Sequence, residues 1–169
     1  MISLWPPLQD WAFALCIIIP VYCTNGAPVL FGGGRPIDSG GSFFDGQRIF
    51  GDHKTVRGFL GGLIVGSIVG LCESFILSQT FLLIALLASL GALLGDLVGA
   101  FLKRRMRIKP GGLCPGLDQL DFVVGALLMV SIVSDISLGS ALIILLVTPP
   151  IHLLTNFGAY MLGLKSTYW

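Results

Sequence analysis

Five runs of apolar residues, at 8–30, 58–77, 80–102, 118–135 and 138–163, succeed one another along the 169-residue chain. Polar positions are gathered into the segments between them. A helix needs about 20 apolar residues to cross a hydrocarbon core about 30 Å thick, so each run predicts a membrane-spanning helix. The fifth run is too short to supply two spans. The expectation is an all-α integral membrane protein in which residues 1–169 form one domain of five transmembrane helices.

Composition points the same way. The chain is 54% hydrophobic and 11% charged, and its mean hydropathy is +0.91, which excludes an ordinary soluble domain. With five alternating spans, Arg35, Arg48, Lys54 and Arg57 share one side with Lys103, Arg104, Arg105, Arg107, Lys109 and Lys165. All the lysines and arginines therefore fall on one face. The positive-inside rule makes that face cytoplasmic and the N-terminus external, while Asp10, Glu73 and Asp135 mark the outer ends. No basic region precedes the first apolar run, so a cleaved leader is not expected. Without a soluble basic domain or interleaved aromatics, a nucleic-acid partner is not expected either. Cys16, Cys23, Cys72 and Cys114 lack zinc-site or disulfide spacing and read as packing thiols.

Within the spans, Gly58, Gly62, Gly66 and Gly70 line one helix face, as do Gly91, Gly95 and Gly99. Ser78-Gln79 leaves room only for a tight turn, predicting an antiparallel hairpin of spans two and three packed through those glycines. Pro149-Pro150 predicts a kink or break in span five. His152 and Asn156 share a face beyond it and read as interhelical hydrogen-bonding groups. The segment 29–57 contains Gly32-Gly33-Gly34, Gly40-Gly41 and Gly46, then presents Lys54, Thr55 and Arg57 at a helix start. Backbone N–H groups and a helix N-terminus favour phosphate there, although the Walker A pattern is absent.

The strongest chemical signal combines Asp96, in an otherwise apolar span, with the basic run from Lys103 to Lys109 and then Asp118 and Asp121. An ionisable group inside a span is costly and reads as functional. Asp118 and Asp121 stand three residues apart on one helix face, suited to bridging a metal pair, and a shared Mg²⁺ would compensate Asp96. Carboxylates among lysines and arginines suit a divalent metal together with a polyphosphate. At the helix start the two aspartates would also serve as simple caps.

The order Gly95-Asp96-Leu97, Lys103-Arg104, Ile108-Lys109, Pro115-Gly116 and Leu117-Asp118-Gln119-Leu120-Asp121 resembles the signature of the CTP-dependent lipid cytidylyltransferases. His53-Lys54-Thr55-Val56-Arg57-Gly58 is similar to that family's K-K-T-W-E-G element. The short chain and five spans are similar to the archaeal CDP-archaeol synthase branch, related to the CDP-diacylglycerol synthases. Two departures stand out: Ala100 replaces a serine of the larger family, and the H-G-G insertion between Gly116 and Leu117 is missing.

The resemblance implies CTP and 2,3-di-O-geranylgeranylglyceryl phosphate as substrates, with CDP-archaeol and pyrophosphate as products at a cytoplasmic-side polar site. It implies Mg²⁺, taken as two ions, held by Asp96, Asp118 and Asp121. Those aspartates and Lys103 form the implied catalytic set. Lys54, Thr55, Arg57, Lys103, Arg104 and Lys109 are the implied phosphate binders, with Asn25 as a polar contact to the nucleotide. Lys165 reads as a tail charge outside this set. Two other readings remain open on residues alone: a CDP-alcohol phosphotransferase-like headgroup enzyme, whose longer aspartate spacing is absent, and a small cation channel or transporter built on Asp96 and a broken fifth helix.

Overall fold

The apolar runs do fold as helices, and their small residues decide how they meet. The computed structural model describes residues 6–109 and 111–168. Its helices are α1 (Leu8–Phe31), α2 (Val56–Ile76), α3 (Thr80–Arg105), α4 (Leu117–Val130) and α5 (Leu138–Met161). Residues 1–5, on which the expectation of no leader partly rests, lie outside the described residues.

α1, α2, α3 and α5 are long and apolar enough to cross a membrane. α4 has 14 residues, about 21 Å at 1.5 Å each, and is shorter than the expected 118–135 span. Turns take over after Val130, where Ser134 N–H donates to the Val130 carbonyl at 3.0 Å. Even so, residues 117–137 travel the length of the bundle. Asp118 pairs with Lys103 near the end of α3, whereas the Ser137 hydroxyl donates to Asp10 Oδ1 at 2.6 Å near the start of α1.

The bundle is apolar on the outside as well as in its core. Its core is Ala14, Ile17, Val21, Ala88, Ala92, Phe122, Val123, Ala126 and Ile144, while Leu15, Ile64, Phe75, Leu128 and Leu146 are exposed. Small residues permit close helix approach, Phe122, Ile17 and Ile144 fill the interior, and further large apolar side chains face outward, where lipid accepts them.

The glycines serve two seams rather than the single hairpin seam expected. Gly58, Gly62, Gly66 and Gly70 are the buried face of α2, which meets α1 and α3: a Cβ at Gly62 would stand 2.8 Å from the Thr24 carbonyl oxygen and 3.0 Å from Leu93. Gly91, Gly95 and Gly99 face α4 instead, against Gly125 and Asp121. The physical reason is that α3 lies between α2 and α4, presenting Ala85, Ser89 and Leu93 to one and its glycines to the other.

Of the kink or break expected at the prolines of α5, no break occurs: the helix continues through Pro149 and Pro150. Proline has a helical φ, and its cost in a helix interior is a lost N–H donor and crowding of the carbonyl four residues back, which does not by itself end the helix. Just before the pair, buried Thr148 donates to the Ile144 carbonyl at 2.5 Å and accepts from Tyr22 at 2.8 Å, which ties this turn to α1.

Candidate active site

The polar residues converge at the end of the bundle where α1 finishes and α2 begins. The intervening loop is built around Asp38, whose side chain has no exposed surface. It accepts from the backbone N–H groups of Gly40, Phe50 and Gly51 and from Arg48, whose Nη2 stands 2.6 Å away. Burial opposes ionisation of Asp38, but the guanidinium and backbone donors outweigh it and hold the carboxyl well below the usual carboxylate range. The folded loop is fastened to α3 through Arg105. That residue donates to the Arg48 carbonyl at 2.6 Å, pairs with Asp45 at 3.0 Å and lies over the Phe43 and Phe101 rings.

This loop delivers Lys54 and Thr55. Thr55 is buried and caps α2, its Oγ1 accepting from Gly58 N–H at 3.1 Å, so its hydroxyl has a structural partner. Lys54 reaches across to α3 and donates to both carboxylate oxygens of Asp96 at 2.6 Å. A second pair follows one helix further on: Lys103 lies 2.9 Å from Asp118 Oδ1, and Asp118 also accepts from Cys114 N–H at 2.9 Å. Asp121 sits against Gly99, where any Cβ would collide with its carboxylate, and lies within electrostatic reach of Asp96, Lys54 and Asp118. Asp96, Asp118, Asp121, Lys54 and Lys103, distant in sequence, thus occupy one neighbourhood.

Arg57 is exposed and lines a groove of about 450 Å³ with Phe31, Arg35, Leu60 and Ile64. Arg104 is half-buried with Nε lacking a hydrogen-bond partner, and Lys109 is exposed on the loop after α3. Asn25 lines a separate, mostly apolar cavity of about 430 Å³ between α1 and α5, together with Tyr22, Ala27, His152, Asn156 and Leu164.

Lys165 is not the plain tail charge expected. Its Nζ donates to Asn156 Oδ1 at 3.0 Å, and it lies within electrostatic reach of Asp118, Lys54 and Lys103. Burial, opposed by Asp118 and aided by Lys54 and Lys103, pushes its ammonium down from the ordinary lysine value. His152 and Asn156 interact within α5, Asn156 Nδ2 standing 3.2 Å from His152 Nδ1, rather than between helices.

Three contributors were missed in the sequence. Asp38 had a local signal, since an aspartate two residues before a glycine is a natural Asx turn. Arg105 and Lys165 had none, because their partners come from other elements.

The carboxylates are of the hard oxygen type that Mg²⁺ takes. They do not form a ready-made cage: among the described residues no three ligating side chains are grouped closely enough to hold a metal. Lysine ammonium groups neutralise Asp96 and Asp118 in this arrangement.

The bundle is similar to a solved structure of an intramembrane enzyme for archaeal membrane lipids biosynthesis, with a TM-score of 0.79, 36% identity, and coverage of 85% of this chain and 92% of that one. Fold and site together define a helical intramembrane enzyme. A model of the CarS-like CDP-archaeol synthase family matches residues 11–169. CDP-archaeol synthase from Thermococcus gammatolerans is 46% identical over 96% of this chain and 98% of its own length. Those from Pyrococcus furiosus and Methanocaldococcus jannaschii are 48% and 40% identical, each over 92% of this chain and 96% of the relative. The chain belongs to the CarS-like CDP-archaeol synthase family.

Proposed function

We propose that this chain transfers the cytidylyl group of CTP to 2,3-di-O-geranylgeranylglyceryl phosphate, forming CDP-archaeol and pyrophosphate. The observation that carries the reading is the pair of lysine–aspartate contacts, Lys54 with Asp96 and Lys103 with Asp118, flanking Asp121 at one end of an apolar bundle. Such a site sets cations and oxygen ligands beside apolar helices, which suits a phosphate carried on a lipid.

The acceptor needs little activation. A phosphomonoester has a second pKa of about 6, so it is largely dianionic at neutral pH. Its oxygen attacks the α-phosphorus of CTP, a new P–O bond forms, and the bond to the bridging oxygen of the β-phosphate breaks with pyrophosphate carrying away the electron pair. The obstacle is repulsion between polyanions, which positioned charges reduce. Lys54 and Lys103 are the ammonium donors for the triphosphate. Asp96, Asp118 and Asp121 would hold Mg²⁺, whose contribution when bound is neutralisation of phosphate charge. No histidine base is required by this route.

The charged end is assigned to the cytoplasm, because the basic residues of the α1–α2 loop, the α3–α4 loop and the tail all lie there. The segment 117–137 is assigned as the fourth of five crossings, completed by the turns after α4. The deciding experiment incubates purified protein with radiolabelled CTP, Mg²⁺ and either ether- or ester-linked lipid phosphate, then follows label in the lipid fraction. Labelled CDP-lipid with the geranylgeranyl ether substrate is expected. Failure to label either lipid, with a folded protein and Mg²⁺ present, overturns the assignment.

A further inference from the structure

The last turn of α5 brings back a cation that the linear sequence places at the edge of the protein. Leu162 N–H donates to the Gly158 carbonyl at 3.0 Å, Gly163 to Tyr160 at 2.9 Å and Leu164 to Ala159 at 2.9 Å. Gly163, at φ +71°, supplies the left-handed turn that reverses the chain. Lys165 is thereby set alongside α5, with Nζ on Asn156 rather than in open solvent.

Two surroundings meet at that point. On one side is the charged neighbourhood of Asp118, Lys54 and Lys103. On the other is the 430 Å³ cavity, for which the adjoining residue Leu164 and the bonded residue Asn156 are both wall residues. Val29 and Leu30, also lining the cavity, are exposed on the outer surface of α1, so apolar walls continue toward the region that lipid occupies.

A ligand matching both surroundings carries a phosphate at one end and apolar chain at the other. The acceptor has that form, whereas CTP has nothing apolar of comparable size to place between α1 and α5. We propose that Lys165 binds the phosphate of the acceptor lipid while the chains of that lipid begin their path in the α1–α5 cavity. The proposal rests on the cytidylyl-transfer reading and adds a division of labour to it. Lys54 and Lys103 serve the nucleotide, and Lys165 serves the lipid. A charge-assisted hydrogen bond from lysine to phosphate is the interaction removed by a neutral substitution.

The test uses the full-length purified enzyme in mixed micelles, with initial rates measured against lipid phosphate at saturating CTP and against CTP at saturating lipid. Lys165→Met and Lys165→Gln should each raise the apparent KM for lipid phosphate by about tenfold or more, while KM for CTP moves by less than about twofold. Lys165→Arg, which retains the charge, should recover most of the lipid affinity. An unchanged lipid KM, an equal or larger shift in CTP KM, or failure of arginine to rescue would overturn the proposal. So would loss of monodisperse protein in both neutral variants, which would make Lys165 a folding residue. An inactive wild-type enzyme would instead remove the cytidylyl-transfer reading, so the two failures are distinguishable.

Discussion

Lys54 donates to both oxygens of Asp96 across 42 positions of sequence, at 2.6 Å each. This contact connects the only long loop between helices among the described residues with the middle of the α3–α4 seam. Neither charge can be removed without leaving the other uncompensated beside an apolar bundle, where an unpaired ion is expensive. Lys54→Met and Asp96→Asn should therefore each lower kcat/KM by about a hundredfold or more, and their combined loss should be well below the sum of the two in free energy. Steady-state kinetics on a double-mutant cycle checks this, and strictly additive losses would show that the residues act independently.

The seam itself makes a steric prediction. At Gly99 an added Cβ would collide with the Asp121 carboxylate, whereas at Gly158 it would meet nothing within 4 Å. Gly99→Ala should destabilise the protein by about 1–3 kcal/mol and abolish most turnover. Gly158→Ala should be neutral or slightly stabilising, because alanine is the better helix former. Thermal unfolding in detergent compares them, and equal midpoints would mean that α4 is not held against Gly99.

Asp38 is a test of the loop rather than of the chemistry. Asp38→Asn removes the charge that Arg48 and three backbone donors share, so it should release the loop and reduce activity by about tenfold or more. Asp52, mostly exposed although it also touches Arg48, should tolerate the same change. The sign of the pH effect follows from a lowered folded-state value. The contribution of Asp38 is fully present above the ordinary carboxylate value of about 4 and is lost only as pH falls through the lower folded value. Protease sensitivity of the loop should thus stay constant from neutral pH down to about pH 4 in the wild type. Cleavage rising sharply above that pH would contradict the clamp.

Metal dependence can be separated from charge pairing. Chelator should stop turnover and Mg²⁺ should restore it, and Asp118→Asn and Asp121→Asn should each shift the Mg²⁺ requirement upward by about tenfold. Titration of activity with Mg²⁺ at fixed CTP measures this. Near wild-type activity of either variant at limiting Mg²⁺ would remove that residue from the metal site.

Topology provides an independent check. Single cysteines at Arg48 and Lys109, in a background cleared of native cysteines, should react with an impermeant reagent from the cytoplasmic side, and one at Asp135 from the outside. Labelling of positions 48 and 109 from opposite sides would dismantle the shared site.

The helical runs, the gathering of cations and the chain of aspartates were all legible in the amino-acid order. Hydrophobic length and charge are properties of a segment, and a bilayer imposes them on each span separately. The motif residues Asp96, Asp118 and Asp121 could likewise be singled out before any packing was known, because ionisable groups in or beside apolar runs are costly wherever they lie.

Pairing could not be read this way. Whether Gly95 and Gly99 face α2 or α4 depends on which helix stands on each side of α3, and periodicity says only that they share a face. Tertiary packing also decided that Lys54 reaches Asp96, that Arg57 lies in an outer groove and that Lys165 folds back onto Asn156. The sequence by itself determined that this protein lives in a membrane and gathers its positive charge at one end. Only the fold decided which charges meet, because ion pairs are set by separation in space, and helices bring together residues that the chain keeps far apart.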